Sequence, residues 1–141
     1  AALLLDRGAD VNKLAGGRGD LETPLRSACS SSQVKIELLQ LLLSRGAEVD
    51  LSEGEEGTTP LMELCSKRHP LIEETKFLLD HGANPNLVGR SWGTALHEAV
   101  VFFSPGCDDQ LRLVRLLLEY GADANGISHR GRTPLELANS H

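Results

Sequence analysis

The sequence predicts an all-α solenoid, in which antiparallel helix pairs stack one on the next and loops join the pairs. Three observations predict this fold class. Two short phrases each recur four times along the 141 residues, and each phrase carries the residues that begin or end a helix. The composition is 40% hydrophobic but only 4% aromatic, with apolar mass mostly from Leu, Ala and Val. That mixture favours helices over sheets.

The first phrase is a leucine-rich run that ends in Gly-Ala. It reads LLLDRGADVN, LLLSRGAEVD, FLLDHGANPN and LLLEYGADAN, with glycines at positions 8, 46, 82 and 121 and therefore spacings of 38, 36 and 39 residues. A glycine after such a run supplies the left-handed residue that follows a helix end. The polar residues after it can bond to turn backbone. We expect a helix to end before each of these glycines.

The second phrase begins at a threonine and interleaves with the first. It reads TPLRSAC, TPLMELC, TALHEAV and TPLELAN, with threonines at positions 23, 59, 94 and 133 and spacings of 36, 35 and 39 residues. A threonine can cap a helix by accepting a backbone N–H bond, and proline is tolerated at the first helical position. Each unit is therefore a capped first helix, a connection and a second helix. The loop from a second helix to the next threonine is called a finger below.

These phrases resemble the T-P-L-H-x-A and LLLxxGADxN patterns of the ankyrin repeat, whose usual period is 33 residues. The resemblance covers nearly the whole chain and is specific, because the phrases agree in order, spacing and copy number. It divides the chain into the second half of a repeat (1–13), three complete repeats (14–51, 52–87 and 88–126) and the first half of another (127–141). On this division we expect a fragment of a longer array, with its extra residues near 14–20 and 103–106.

The repeat register also predicts which side chains form the core. We expect burial of Leu25, Leu61, Leu96 and Leu135 from the first helices and of Leu42, Leu78 and Leu117 from the second helices. Each fully buried leucine contributes about 1.5–3 kcal/mol.

Cys29 and Cys65 occupy equivalent positions in successive repeats. Stacked helices lie about 8–10 Å apart, which exceeds the roughly 7 Å between Cα atoms that a disulfide allows. We interpret both as small core residues. His97 stands at the histidine of T-P-L-H, where we expect it to satisfy backbone groups between repeats. His81 precedes a helix-ending glycine, a position that suits histidine.

The ankyrin resemblance implies that a partner binds the concave face, which the fingers and first helices line. Residues that vary between repeats on this face are the candidate contacts, and along the stack they run from mixed to acidic to basic. The candidates are Arg18, Asp20, Glu22, Glu53, Glu55, Glu56, Arg90, Trp92, Arg130 and Arg132. Trp92 stands where the family usually has glycine, and tryptophan is enriched among interface hot spots. The alternative is that Trp92 packs on its own loop.

Other classes of function find little support in the sequence. The three cysteines and five histidines have no metal-ligand spacing, and no motif supplies a nucleophile, a base and an orienting group. We therefore expect no metal, no cofactor, no small-molecule substrate and no enzyme. A formal net charge of −6 disfavours nucleic acid, and no apolar run approaches the roughly 18 residues of a membrane span.

We expect a monomeric protein–protein interaction scaffold whose protein partner the sequence does not identify. Three cysteines without close spacing favour an intracellular location, cytoplasmic or nuclear. The alternative is a regulatory ankyrin array of a larger enzyme or channel.

Overall fold

A computed structural model describes residues 2–14, 22–52, 57–89, 93–101 and 108–140. The regular elements of these residues are eight α-helices. They are α1 (Ala2–Asp6), α2 (Pro24–Ser30), α3 (Ile36–Ser44), α4 (Pro60–Cys65), α5 (Ile72–Asp80), α6 (Ala95–Val101), α7 (Asp108–Glu119) and α8 (Pro134–Ala138).

The helices form two rows. The first helices α2, α4, α6 and α8 pack one against the next, and the second helices α5 and α7 pack in a parallel row. Between the rows, α2 packs on α3, α4 on α5, and α6 on α7. This arrangement confirms the predicted all-α solenoid of helix pairs.

Threonine caps begin three of the first helices, as predicted. The hydroxyls of Thr23, Thr59 and Thr133 accept backbone N–H bonds from three residues further on, at 3.1, 3.2 and 3.3 Å. The prediction is wrong for Thr94, whose hydroxyl instead lies 2.8 Å from Nδ1 of His97. The nearby imidazole ring competes for the hydroxyl that would otherwise cap α6.

The predicted helix-ending glycines all adopt the left-handed conformation. Gly8, Gly46, Gly82 and Gly121 have φ between 83 and 88°. Apart from the glycine and its two chain neighbours, no atom of the described residues lies within 4 Å of where a Cβ would stand at any of them. Backbone conformation rather than crowding is therefore what requires glycine here.

The core confirms six of the seven predicted leucines, which are buried to between 0 and 4% exposure. The prediction is wrong for Leu135, which is 68% exposed. Helix α8 packs against α6 and buries Pro134 and Leu137 instead. Within the described residues no second-row helix follows α8, so the side of α8 that carries Leu135 stays uncovered.

Cys29 and Cys65 are fully buried free thiols, as predicted. Desolvation, with a smaller contribution from Glu63, raises the pKa of Cys29 to about 12. Desolvation, with a smaller contribution from Glu98, also raises the pKa of Cys65. Both thiols therefore stay protonated and unreactive in the core. The third cysteine of the sequence, Cys107, lies outside the described residues.

An asparagine ladder joins each finger to the next. The Nδ2 group of Asn12 donates to the Gly46 carbonyl at 3.0 Å, and its Oδ1 accepts from the Glu48 N–H at 2.9 Å. Asn86 makes the same pair of bonds, to the Gly121 carbonyl at 2.9 Å and from the Asp123 N–H at 2.7 Å. The ladder thus pairs backbone groups of successive repeats through one side chain.

Asp50 stands at the middle position of this ladder. Both of its carboxylate oxygens accept from the Asn84 N–H at 3.1 Å. A carboxylate cannot donate to a carbonyl, so the bond that Asn12 and Asn86 each give to a glycine has no counterpart here. Burial raises the pKa of Asp50, and the hydrogen bond from Asn84 opposes that rise.

Candidate functional site

Three of the ten predicted contact residues lie within the described part of the chain. Glu22 is half-buried just before α2, whereas Arg130 and Arg132 are exposed on the finger before α8. The structure brings the two arginines together on one finger and separates them from Glu22 by α4 and α6. The remaining candidates, Arg18, Asp20, Glu53, Glu55, Glu56, Arg90 and Trp92, lie outside the described residues.

A charged cluster joins α2 to α4 on the first-helix row. The Arg26 guanidinium lies 3.8 Å from carboxylate oxygens of both Glu22 and Glu63. Lys67 Nζ lies 3.3 Å from Glu63 and donates to the Ser30 carbonyl at 2.9 Å. Arg26 is only 9% exposed, and its Nε group has no hydrogen-bond partner among the described residues. Positive and negative groups alternate here, which lets charges approach one another in a partly dry setting.

Arg26, Glu63 and Lys67 were not among the residues predicted from the sequence. Arg26 stands where T-P-L-H has its histidine, and Glu63 and Lys67 are four residues apart on either side of the end of α4. That spacing places two side chains on one face of a helical turn and was a usable signal. The ion pair between Glu63 and Arg26 could not be predicted from the sequence, because it depends on how α2 packs against α4.

His97 links α6 to the finger before α8. Its ring is fully buried, its Nδ1 accepts from the Thr94 N–H at 3.1 Å, and its Nε2 lies 2.9 Å from the Arg132 carbonyl oxygen. Since Nδ1 accepts, the ring proton is on Nε2, which donates to Arg132. The prediction that His97 satisfies backbone groups between repeats is confirmed.

The position of His97 carries a different residue in each repeat. Arg26 forms ion pairs, and Met62 is buried so close to Gly89 that a Cβ there would lie 2.9 Å from its Sδ atom. Glu136 completes a capping box with Thr133. One repeat position therefore serves polar, apolar and capping roles.

Two surface depressions accompany the fingers. One, of about 320 Å³, is lined by Ser128, Arg130, Arg132 and Leu137. The other, of about 560 Å³, is a wider and more open groove lined by Glu48, Val49, Asp50, Leu51, Ser52 and Leu87. The smaller depression contains two predicted contact residues, and the described lining of the larger one contains none.

The described residues contain no group of three or more His, Cys, Asp or Glu side chains arranged to hold a metal ion. None of the helices in the described ranges has the length and apolarity that crossing a membrane requires.

The helix pairs, the glycine-ended second helices and the ladder between fingers define a repeat protein of stacked helical units. A family model for ankyrin repeats, in three copies, matches residues 1–89 and 25–126. The chain belongs to the ankyrin-repeat family. Ankyrin repeats are generally protein–protein interaction modules and typically have no enzymatic activity. A comparison with the curated proteins finds no match.

Proposed function

We propose that this chain is a protein–protein interaction scaffold that binds its partner through the fingers and the first-helix row. The observation that carries the proposal is the finger before α8, which holds Arg130 and Arg132 exposed on a backbone bonded to the buried His97. An exposed, charged and firmly anchored loop is suited to recognition, because little freedom is lost when it binds.

The polar groups of the first-helix row support binding rather than catalysis. Arg26 and Lys67 join α2 to α4, and both ring nitrogens of His97 are hydrogen-bonded. These groups hold neighbouring repeats together, so they do not form the nucleophile and base that a reaction needs. The partner contacts that we propose are Arg18, Asp20, Glu22, Glu53, Glu55, Glu56, Arg90, Trp92, Arg130 and Arg132.

The test is affinity capture with the full chain, followed by calorimetry on the purified partner. The variants are Trp92→Ala, the pair Glu55→Gln and Glu56→Gln, and the pair Arg130→Gln and Arg132→Gln. The control is the pair Arg112→Gln and Arg115→Gln, two exposed arginines on α7 in the second row. We expect at least one finger variant to bind the partner about tenfold more weakly, with no change in the melting temperature of the chain.

The control should bind the partner as the wild type does. If every finger variant binds normally while the α7 pair weakens binding, the partner contacts the second-row helices and the proposal is wrong.

A further inference from the structure

We propose that the depression formed by Ser128, Arg130, Arg132 and Leu137 binds a short acidic peptide segment in which an aliphatic side chain neighbours a carboxylate. This inference rests on the proposed function, because it names the chemistry of the partner at one place on the binding face. Four features carry it: a fixed backbone, two exposed arginines, an apolar wall and a limited volume.

The backbone around the two arginines is fixed from three sides. A tight turn closes through a 2.9 Å bond from the Gly131 N–H to the Ser128 carbonyl, with Gly131 in the left-handed region at a φ of 69°. The Arg132 N–H donates to Ser128 Oγ at 3.2 Å. The Arg132 carbonyl accepts from the Ser128 N–H and from His97 Nε2, each at 2.9 Å. The main chain at the arginines is therefore ordered before a ligand arrives.

The charge of this finger suits a carboxylate ligand. Arg130 and Arg132 are exposed. The Arg132 charge acts on the nearby Glu136 carboxylate and helps to lower its pKa, but no described carboxylate oxygen lies within the 4.0 Å of an ion pair with Arg132. The neighbouring Glu136 carboxylate is held by Thr133, through the backbone N–H at 2.8 Å and the hydroxyl at 3.1 Å. A guanidinium presents a planar pair of donors that matches a carboxylate.

The contrast with the rest of the molecule adds selectivity. The chain has a formal net charge of −6, so on balance it repels an acidic segment, whereas the two arginines of this finger attract one. Such local complementarity selects the site at which a charged ligand docks.

The apolar wall and the volume limit what fits. Leu137 packs on α6 and is 6% exposed, and the part of its side chain that stays exposed lines the depression beside the arginines. The volume of about 320 Å³ lies at the lower end of the range for ligand sites. That volume accepts one or two side chains rather than a folded surface. An aliphatic side chain against Leu137, with its neighbouring carboxylate at the arginines, uses both halves of the depression.

The test is fluorescence anisotropy of the full chain with labelled peptides of alternating Asp and Leu. Matched peptides of alternating Asn and Leu, and of alternating Lys and Leu, change only the charge. We expect saturable binding of the Asp-Leu peptide and at least about tenfold weaker binding of the other two. Arg132→Gln should lower the affinity for the Asp-Leu peptide about tenfold. Arg115→Gln removes the same charge from α7 and should leave the affinity for this peptide unchanged.

Three outcomes would overturn the inference: equal binding of the Asn-Leu peptide, unchanged affinity in Arg132→Gln, or an equal loss in Arg115→Gln. Binding of a phosphoserine-Leu peptide without binding of Asp-Leu would overturn it too, in favour of a phosphate ligand.

The two proposals fail in different ways. If a captured partner responds to the variants of Trp92 or of Glu55 and Glu56 while no Asp-Leu peptide binds, this inference is wrong and the scaffold proposal stands. If no finger variant affects the partner, the scaffold proposal itself is wrong.

Discussion

At the scale of single residues, the junctions between repeats depend on side chains that pair backbone groups of neighbouring units. His97 joins Thr94 to Arg132, and Asn12 and Asn86 join successive fingers. Each such side chain satisfies polar groups that packing removes from water, and a buried polar group without a partner is costly.

We predict that His97→Ala lowers the free energy of unfolding by about 2–4 kcal/mol, because it removes bonds to two backbone groups and leaves a cavity. Urea unfolding at neutral pH measures the effect. The control is His81→Ala, which removes an exposed ring whose Nδ1 bonds the Phe77 carbonyl and should cost no more than about 0.5 kcal/mol. Equal losses in the two variants would contradict the bridging role of His97.

We predict that Asp50→Asn stabilises the protein by about 0.5–1.5 kcal/mol, because asparagine can donate to the Gly82 carbonyl as Asn12 donates to that of Gly46. Urea unfolding at neutral pH checks the sign. Asp109→Asn, an exposed substitution on α7, should have little effect. A loss of stability in Asp50→Asn would show that its carboxylate is needed for the bond from Asn84.

The same residue predicts a pH dependence. Folding raises the pKa of Asp50 above its ordinary value of 3.8 through desolvation, so folding favours its protonated form. Its contribution to stability is therefore present below pH 3.8 and is lost as the pH rises through the folded-state pKa. Melting curves of the wild type and of Asp50→Asn across this window test this. The melting temperature of Asp50→Asn should exceed that of the wild type by more as the pH rises. A constant difference would contradict the shift.

At the scale of elements, burial depends on whether a helix has neighbours on each side. Leu78 on α5 is fully buried, whereas Leu135 on α8 is 68% exposed although both belong to the recurring phrases. Helix α5 packs on both α4 and α7, and α8 packs on α6.

We predict that Leu78→Ala costs about 2–5 kcal/mol of unfolding free energy through lost burial and a cavity. The chemically identical Leu135→Ala should cost less than about 0.5 kcal/mol, because its side chain is already in water. Thermal and urea melts of the two variants test the pair. A similar cost at both positions would contradict the exposure of Leu135 on the uncovered side of α8.

Helix α7 makes a hydrogen bond to α6 that the repeat pattern of the sequence does not predict. Gln110 is 1% exposed, and its side-chain amide donates to the Ala99 carbonyl in α6 at 3.0 Å. The bond holds the two helices together on either side of residues 102–107. From the sequence, a glutamine that precedes a leucine-rich run is predicted to lie on the surface. Gln110 is buried because α6 packs on α7.

At the scale of the whole molecule, contacts join neighbouring repeats and stability is expected to follow nearest-neighbour rules. Exposed hydrogen bonds also join neighbouring repeats, between Arg45 and Asp6 at 2.5 Å and between Tyr120 and Asp80. Exposed ion pairs add little, so the buried rows dominate stability.

We predict that amide hydrogen exchange is slowest in α4, α5 and α6 and fastest in α1 and α8. Helix α1 buries no residue and leaves Leu3 and Leu4 about two-thirds exposed, and local opening is easiest where buried contacts are few. Exchange followed by mass spectrometry on the 141-residue chain checks the order. Equal protection of α1 and α4 would indicate all-or-none opening of the stack instead.

The sequence by itself determined the repeat unit, the three threonine caps, the four glycine ends and six of the seven core leucines. These features are local or periodic, so residue type and spacing are enough to specify them. Tertiary structure alone decided that Arg26 lies between Glu22 and Glu63, that Gln110 is buried, that Leu135 is exposed, and that Arg130, Arg132 and Leu137 line one depression. Each of these depends on which helices pack against one another. The spacing of residues within one segment specifies neither the pairing of distant side chains nor which side of a helix stays uncovered.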